Sequence, residues 1–267
     1  MHGGTMRIFH DEPLSLHTTM RVGGNADHYI VAKTIEGLKN ALKIAARRPV
    51  FVIGGGSNLI VRDKGFRGVV IEPAFSKITV SGTVMKVQAG ATVQEIIDFA
   101  IAHNLSGVEC LAGIPGRLGG VICMNAGYTK PISSLVKSVM VMNYDGKITK
   151  MLPDKLKFGH RSSIFLSKKL IVLSAELQLK RGHCKEIVEM HLQKRAYTQP
   201  IEYPSCGSVF KKTNLFYYQG YGNERAEVRK SFIINLGGAK AADVLEIIKK
   251  IQQESNFELE AEIIGEE

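Results

Sequence analysis

The spacing of apolar and polar residues predicts helices and strands in alternation, with hairpins set among them. Ile35, Leu38, Leu42 and Ala45 recur at helical spacing behind Thr34, whose hydroxyl suits an N-cap. Val50 to Ile53 reads as a short buried strand, Val69-Val70-Ile71 as another, and Thr83 to Ala89 as a third. Thr92 and Glu95 have the spacing of a capping box, ahead of a helix whose buried face carries Val93, Ile96, Ile97 and Ala100. Asp145-Gly146 between Val139–Tyr144 and Lys147–Met151 predicts a hairpin closed by a favoured two-residue turn. Leu173, Ala175, Leu177 and Leu179 alternate with Ser174, Glu176 and Gln178, the pattern of a half-buried strand. Val244, Ile247, Ile248 and Ile251 mark one face of a late helix. Such a mixture argues α+β rather than a purely parallel doubly wound sheet. A polar, helix-prone stretch from Gly182 to Arg195, ahead of Gln199-Pro200 and Tyr203-Pro204, marks a domain boundary.

Bulk composition narrows the class without naming the chemistry. The 267 residues are 45% hydrophobic with a mean hydropathy of +0.01, enough to bury a substantial core. No stretch approaches the roughly 18 to 20 apolar residues that span a bilayer. Met1 to Pro13 holds His2, Arg7, His10, Asp11 and Glu12 with no apolar h-region, so the expectation is a cytoplasmic protein without membrane insertion. Cys110, Cys123, Cys184 and Cys206 form no C-x-x-C pair and are expected as reduced thiols. The eight histidines show no H-E-x-x-H spacing, and no metal site is expected. The formal net charge is +10, but its carriers are scattered, as in Arg47-Arg48, Lys168-Lys169 and Lys249-Lys250. No basic run interleaved with aromatics appears, so nucleic acid is not expected; a polyanionic small molecule suits the charge better.

Two glycine-rich loops carry the sharpest signal. Gly54-Gly55-Gly56-Ser57-Asn58 follows the apolar run Val50–Ile53, and Gly113-Ile114-Pro115-Gly116-Arg117-Leu118-Gly119-Gly120 is followed by Asn125-Ala126-Gly127. Glycine lets main-chain N–H groups come close to a ligand, and consecutive glycines can form an anion-binding nest. Neither loop is a Walker loop, since no G-K-[ST] follows, and Leu59 stands where a dinucleotide fingerprint needs its third glycine. A glycine triplet alone fits a tight structural turn equally well. The pair of loops, with side-chain donors at Asn58 and Asn125, points to a large phosphate-bearing cofactor.

Three further places offer reactive groups. Arg161 is embedded in Phe158–Phe165, where a buried guanidinium would need an anionic partner and an exposed one would only flank a turn. Ser208 lies in Pro204–Phe210 after a flexible glycine; neighbouring Cys206 has no base close in sequence and reads as a passive thiol. Glu260 and Glu262 fall on the same side of a possible strand in Leu259–Gly265, where solvated carboxylates are the ordinary outcome.

Taken in order, these segments resemble the UDP-N-acetylenolpyruvoylglucosamine reductase (MurB) family of peptidoglycan synthesis, over about Leu16 to Gly265. The resemblance rests on Thr18–Gly24, the Gly54–Asn58 loop, Gly113–Gly120 with Asn125–Gly127, His160–Phe165, Gly207–Lys211 and Leu259–Gly265. It implies an FAD-binding domain of the vanillyl-alcohol-oxidase (PCMH) type in two subdomains, residues 1–75 and 76–190. A C-terminal α+β substrate-binding domain, residues 191–267, would follow. It also implies FAD and NADPH as cofactors, and reduction of the enolpyruvyl ether of UDP-N-acetylglucosamine to UDP-N-acetylmuramate. FAD would lie against Gly54, Gly55, Gly56, Ser57, Asn58, Gly113, Ile114, Pro115, Gly116, Gly119, Gly120, Asn125, Ala126 and Gly127. Arg161 occupies the family's arginine position, Ser208 that of its proton donor and Glu262 that of its second acid.

This sequence departs from the family in places. His160 stands where tyrosine is common, and Lys212-Thr213 replaces an Asn-Pro pair. The stretch Asn214 to Lys230, leading to Ser231-Phe232-Ile233-Ile234-Asn235, is shorter than the family's usual segment. The three reactive residues favour an enzyme. The shortened stretch favours a flavin-binding homologue with impaired turnover that acts in binding or regulation. A different flavin oxidoreductase on the same fold gives those three residues no reason to co-occur.

Overall fold

A computed structural model describes residues 4–211 and 215–267. In chain order its elements begin with β1 (Met6–Pro13), β2 (Asn25–Ala32), α1 (Ile35–Ala45), β3 (Val50–Val52), β4 (Leu59–Val61) and β5 (Phe66–Pro73). Next come β6 (Ile78–Ser81), β7 (Val84–Gln88), α2 (Val93–Ala102), β8 (Leu105–Ser106), α3 (Leu118–Cys123), β9 (Val136–Asn143) and β10 (Ile148–Met151). The chain ends with β11 (Leu170–Gln178), β12 (Lys180–Arg181), α4 (Lys185–Thr198), β13 (Ala226–Arg229), β14 (Phe232–Asn235), α5 (Ala241–Glu254) and β15 (Glu262–Ile264). Helix and strand mix as α+β.

The chain groups into two compact units. The first comprises the described part of Met1–Ile8 with Ile30–Gly54 and Ile71–Gln193; the second comprises Phe9–Tyr29, Gly55–Val70 and Lys194–Glu267. The chain therefore changes unit inside the first glycine loop, between Gly54 and Gly55, and inside α4.

In the first unit the sequence's local signals are realised closely. Thr34 Oγ1 accepts the amide of Gly37 at 2.9 Å and starts α1. Thr92 Oγ1 accepts Glu95 N at 3.1 Å while Glu95 Oε2 accepts Thr92 N at 2.7 Å, the reciprocal capping box of α2. A five-stranded antiparallel sheet runs in the order β10-β9-β11-β7-β6, with Leu177 opposite Met85 and Ala175 opposite Val139. Because β11 is its central strand and α3 packs on it, Ile171 to Ala175 are all buried, Ser174 included. Further along the strand Leu177 is buried, Glu176 half-buried and Gln178 exposed, the alternation that the sequence predicts; only Ser174 on the polar side departs from it. The β9–β10 hairpin forms in antiparallel register with Met142 opposite Ile148, but its loop is longer than the predicted two-residue turn. Asn143 Oδ1 takes the amide of Lys147 at 2.8 Å, and this side-chain bond widens the loop past Asp145-Gly146.

The second unit is built round α5, which packs on the β13–β14 hairpin. Val244, Ile247, Ile248 and Ile251 enter one core with Met20, Val22, Ile60, Val209, Phe210 and Ile233. Each such fully buried side chain contributes about 1.5 to 3 kcal/mol. The stretch after the serine loop shares this core through Leu215, Ala226 and Val228. Lys212, Thr213 and Asn214, which include one departure from the family pattern, lie outside the described residues. Finally, β15 pairs in parallel with β4, Glu262 opposite Leu59.

Candidate functional site

In the first unit, Gly54 lies against the second glycine loop. A Cβ built on Gly54 would stand 3.4 Å from the Gly120 amide nitrogen, whereas one on Gly120 meets nothing within 4 Å. The two loops that the sequence singled out therefore meet at Gly54 and Gly120, with open space over Gly120. Arg117 sits in the same loop, yet its guanidinium turns to Glu72 Oε1 at 2.9 Å and Gly90 O at 2.9 Å. That ion pair fixes the loop, and the Gly119 amide adds a bond to Ala89 O at 2.9 Å. Gly113 and Pro115 are exposed, and Ile114 and Gly116 half-buried.

Asn125 is buried and holds two segments together. Its Nδ2 donates to Gly159 O at 2.9 Å, and its Oδ1 accepts the amide of Ser133 at 3.1 Å. Its φ of +45° places it in the left-handed region that asparagine tolerates. Gly159 N donates to Ser162 O at 3.0 Å, so His160 and Arg161 form the tip of a tight turn. Ser163 Oγ secures that turn to Cys123 O at 2.6 Å. Arg161, half-buried with φ +50°, donates from Nη1 to Gly127 O at 3.2 Å. Asn125 and Arg161 are thus tied together through the Gly159–Ser162 turn, with Arg161 bonded to Gly127.

In the second unit, Gly55 to Asn58 lead into β4. Thr19 N donates to Gly56 O at 3.2 Å, and Thr19 Oγ1 donates to Ser205 O at 2.6 Å, so one segment braces both the glycine loop and the serine loop. Ser208 is exposed between buried Cys206 and buried Val209, after Gly207 at φ +76°. Complete burial pushes the Cys206 thiol up to about 12, which removes it as a nucleophile and agrees with its reading as a passive thiol. Val209 O accepts the amides of Glu260 at 2.7 Å and Ala261 at 3.1 Å. This double bond to one carbonyl breaks the strand before Glu262. The rule that placed Glu260 and Glu262 on one side of a continuous strand therefore fails at Glu260-Ala261.

Asn58 directs its Nδ2 to Glu260 O at 3.0 Å, and its own carbonyl accepts Glu262 N at 2.9 Å. Water reaches the Glu262 side chain, yet the protein packed round it strips part of its hydration and raises its carboxyl above the usual carboxylate range. A carboxyl so placed holds a proton more readily than one on an open surface.

Some residues were not legible as site residues. Thr18 is buried and its Oγ1 makes no hydrogen bond among the described residues, while its Cα would stand 2.8 Å from a Cβ on Gly56. Asp63 accepts the amides of Ala241 at 2.8 Å and Ala242 at 2.9 Å, closing the start of α5. Thr18 lies in a segment that carried only the family resemblance, and nothing in local sequence marks Asp63. Thr18 depends on what surrounds it in the fold, and Asp63 acts 178 positions away.

These features fit a large phosphate-bearing cofactor. Within the first unit, the space over Gly120, which a side chain would narrow, offers main-chain contact. Within the second unit, taken by itself, the buried Thr18 hydroxyl beside Gly56 has no partner among the described residues. Among the described residues no cluster of His, Cys, Asp or Glu has the arrangement of a metal site, and no helix is long and apolar enough to cross a membrane.

Comparison with known proteins supplies the lineage. Residues 26–152 match the model of an FAD binding domain. The chain is 37% identical to a UDP-N-acetylenolpyruvoylglucosamine reductase of Alkaliphilus oremlandii, over 96% of this chain and 93% of that protein. The same identity holds against the reductase of that name from Latilactobacillus sakei, over 98% of this chain and 94% of the other. The crystal structure of the Thermus caldophilus UDP-N-acetylenolpyruvylglucosamine reductase (MurB) superposes with a TM-score of 0.86 at 32% identity, covering 97% of this chain and all of that one. The chain belongs to the UDP-N-acetylenolpyruvoylglucosamine reductase family.

Proposed function

We propose that this protein is an FAD-dependent oxidoreductase that reduces the enolpyruvyl ether of UDP-N-acetylglucosamine to UDP-N-acetylmuramate with NADPH, in peptidoglycan precursor synthesis. The observation that carries this reading is the similarity to reductases of that name along 96% of the chain at 37% identity. The matched FAD binding domain and the glycine cradle support the cofactor.

In this reading residues 1–75 and 76–190 hold FAD, and residues 191–267 receive the nucleotide-sugar substrate. When bound and reduced by NADPH, FAD would supply hydride. The segments Gly54–Asn58, Gly113, Ile114, Gly116, Gly119 and Gly120, and Asn125–Gly127 bind and orient the cofactor, with Pro115 shaping the second loop; the amides of Ile114, Gly116, Gly119, Asn125 and Ala126 hold these loops in shape through main-chain bonds. Arg161 places a fixed positive charge for the negative charge that develops on the substrate carboxylate, and its anchor on Gly127 O keeps that charge from moving. The Ser208 hydroxyl gives the proton that quenches the adjacent carbon. Glu262, protonated, polarises the same carboxylate, a role supported by its raised pKa. A cytoplasmic address belongs to this reading, since the dinucleotide and sugar-nucleotide reactants are made there, and the four cysteines form no disulfide.

The test is direct. Purified protein should be yellow, and NADPH absorbance should fall on adding the enolpyruvyl substrate, with little consumption before it. A yellow protein whose NADPH oxidation never responds to substrate would leave the binding-only homologue as the correct description.

A further inference from the structure

We propose that Asn58 is a positioning residue: it ties the first glycine loop to the segment that carries Glu262 and anchors the Ser208 loop. The inference rests on the reading of Glu262 as an acid of the reaction. Its basis is a three-way junction within the second unit. Asn58 O accepts Glu262 N at 2.9 Å, and Asn58 Nδ2 donates to Glu260 O at 3.0 Å. Glu260 in turn donates its amide to Val209 O at 2.7 Å, one residue after Ser208. Phe210 pairs with Leu259 in an antiparallel bridge, and Lys211 N donates to Glu258 O at 2.8 Å. Glu260 thus gives its N–H to the serine loop and its C=O to the glycine loop.

The side chain matters because the main chain alone is a weak clamp there. The β4–β15 ladder is three residues long, Glu262 is its first member, and the backbone before it is broken at Glu260-Ala261. A short parallel ladder frays at its ends, where each strand has lost its next bond. The amide of Asn58 adds a bond two residues before Glu262, on the far side of that break. Asparagine suits the task by chemistry and by length: aspartate has the same shape and no N–H to donate, and serine is too short. Displacement of a reacting group by about 1 Å costs on the order of a hundredfold in rate.

The test uses the flavin-loaded enzyme. Asn58→Ala and the isosteric Asn58→Asp are made alone and with Glu262→Gln, and kcat is counted per bound flavin. Amide hydrogen exchange is followed in the segment 258–264, with 66–73 as internal reference. The expected result is a fall in kcat of about 10- to 100-fold for either Asn58 variant. Adding Asn58→Ala to Glu262→Gln should then lower kcat by less than about 2-fold, since the two act as one unit. Exchange at Glu260 to Glu262 should quicken while the reference segment is unmoved. Losses that multiply in the double variant, or unchanged exchange, overturn the proposal. Wild-type turnover in Glu262→Gln overturns the acid assignment and with it this role for Asn58; quickened exchange in Asn58→Ala then separates that failure from failure of the tether itself. Should Asn58→Ala not fold, Asn58→Asp keeps the volume and carries the same test.

Discussion

A Cβ on Gly54 would stand 3.4 Å from the amide nitrogen of Gly120 and 3.5 Å from its Cα, so two loops more than sixty positions apart in sequence touch through bare backbone. Gly120 itself faces open space and sits in α3. Alanine there favours the helix by about 0.5 to 1 kcal/mol while placing a methyl group in the cradle. Gly120→Ala should therefore melt at the same temperature or slightly higher and yet bind FAD about tenfold more weakly, as ordinary steric losses of about 1.4 kcal/mol would give. Thermal melts of flavin-free protein and titration with FAD check the two halves separately.

Gly56 predicts the opposite pattern. Its φ is +61°, and a Cβ there would fall 2.0 Å from His17 O. No rotation of a side chain relieves a clash with a main-chain oxygen. Gly56→Ala should lose at least about 2 kcal/mol of stability, seen in a denaturant melt of the flavin-free protein.

Local signals in the chain were legible where the chemistry is local. Thr34 and Thr92 cap their helices as their spacing predicts, and the isoleucine face of α5 is buried as its period requires. Legibility ended where burial depends on partners distant in sequence. The alternation of β11 was legible, with Glu176 half-buried and Gln178 exposed, but the burial of Ser174 was not, nor the bonds of Glu176 to Ser138 and Lys150 across the sheet. The Ser138 hydroxyl first and the Lys150 ammonium next lower the Glu176 carboxyl below its ordinary value. The hairpin at Asp145-Gly146 was foreseen and its loop was not, because Asn143 competes for the Lys147 amide. At the candidate site the residue types were visible and their attachments were not. The amides of Asn58 and Asn125, which the sequence offers to a ligand, donate to Glu260 O and Gly159 O. Each of those bonds joins segments that no window of sequence brings together.

Asp63 offers a test of how α5 is started. Its two carboxylate oxygens accept the Ala241 and Ala242 amides at 2.8 and 2.9 Å, partners that the first turn of a helix otherwise lacks. Asp63→Ala should cost about 2 kcal/mol, the upper end for loss of a cap, because both bonds are to a charged acceptor. Asp63→Asn keeps one acceptor oxygen and should cost about half as much. Chemical denaturation of the three proteins at one pH decides it. Equal losses in both variants would mean that the charge, not the pair of bonds, holds the helix.

Glu262 predicts opposite effects on stability and on turnover. Partial loss of hydration raises its carboxyl pKa in the folded chain, so the folded state binds this proton more tightly than the unfolded state does. For an acid shifted upward, stability falls as pH rises from the unfolded pKa through the folded one, and above both the penalty is constant. Glutamine carries no charge and escapes that penalty. Glu262→Gln should therefore melt higher than the parent at neutral pH, and the two melting temperatures should converge as pH is lowered to about 4, near the ordinary glutamate value. The same variant should turn over more slowly, because an amide hydrogen-bonds to a carboxylate but cannot match a protonated acid in polarising it. Melting temperatures across pH and kcat on one preparation measure both. A variant that melts lower than the parent at every pH would show that the ionised carboxylate stabilises the fold, and would remove the ground for a protonated Glu262.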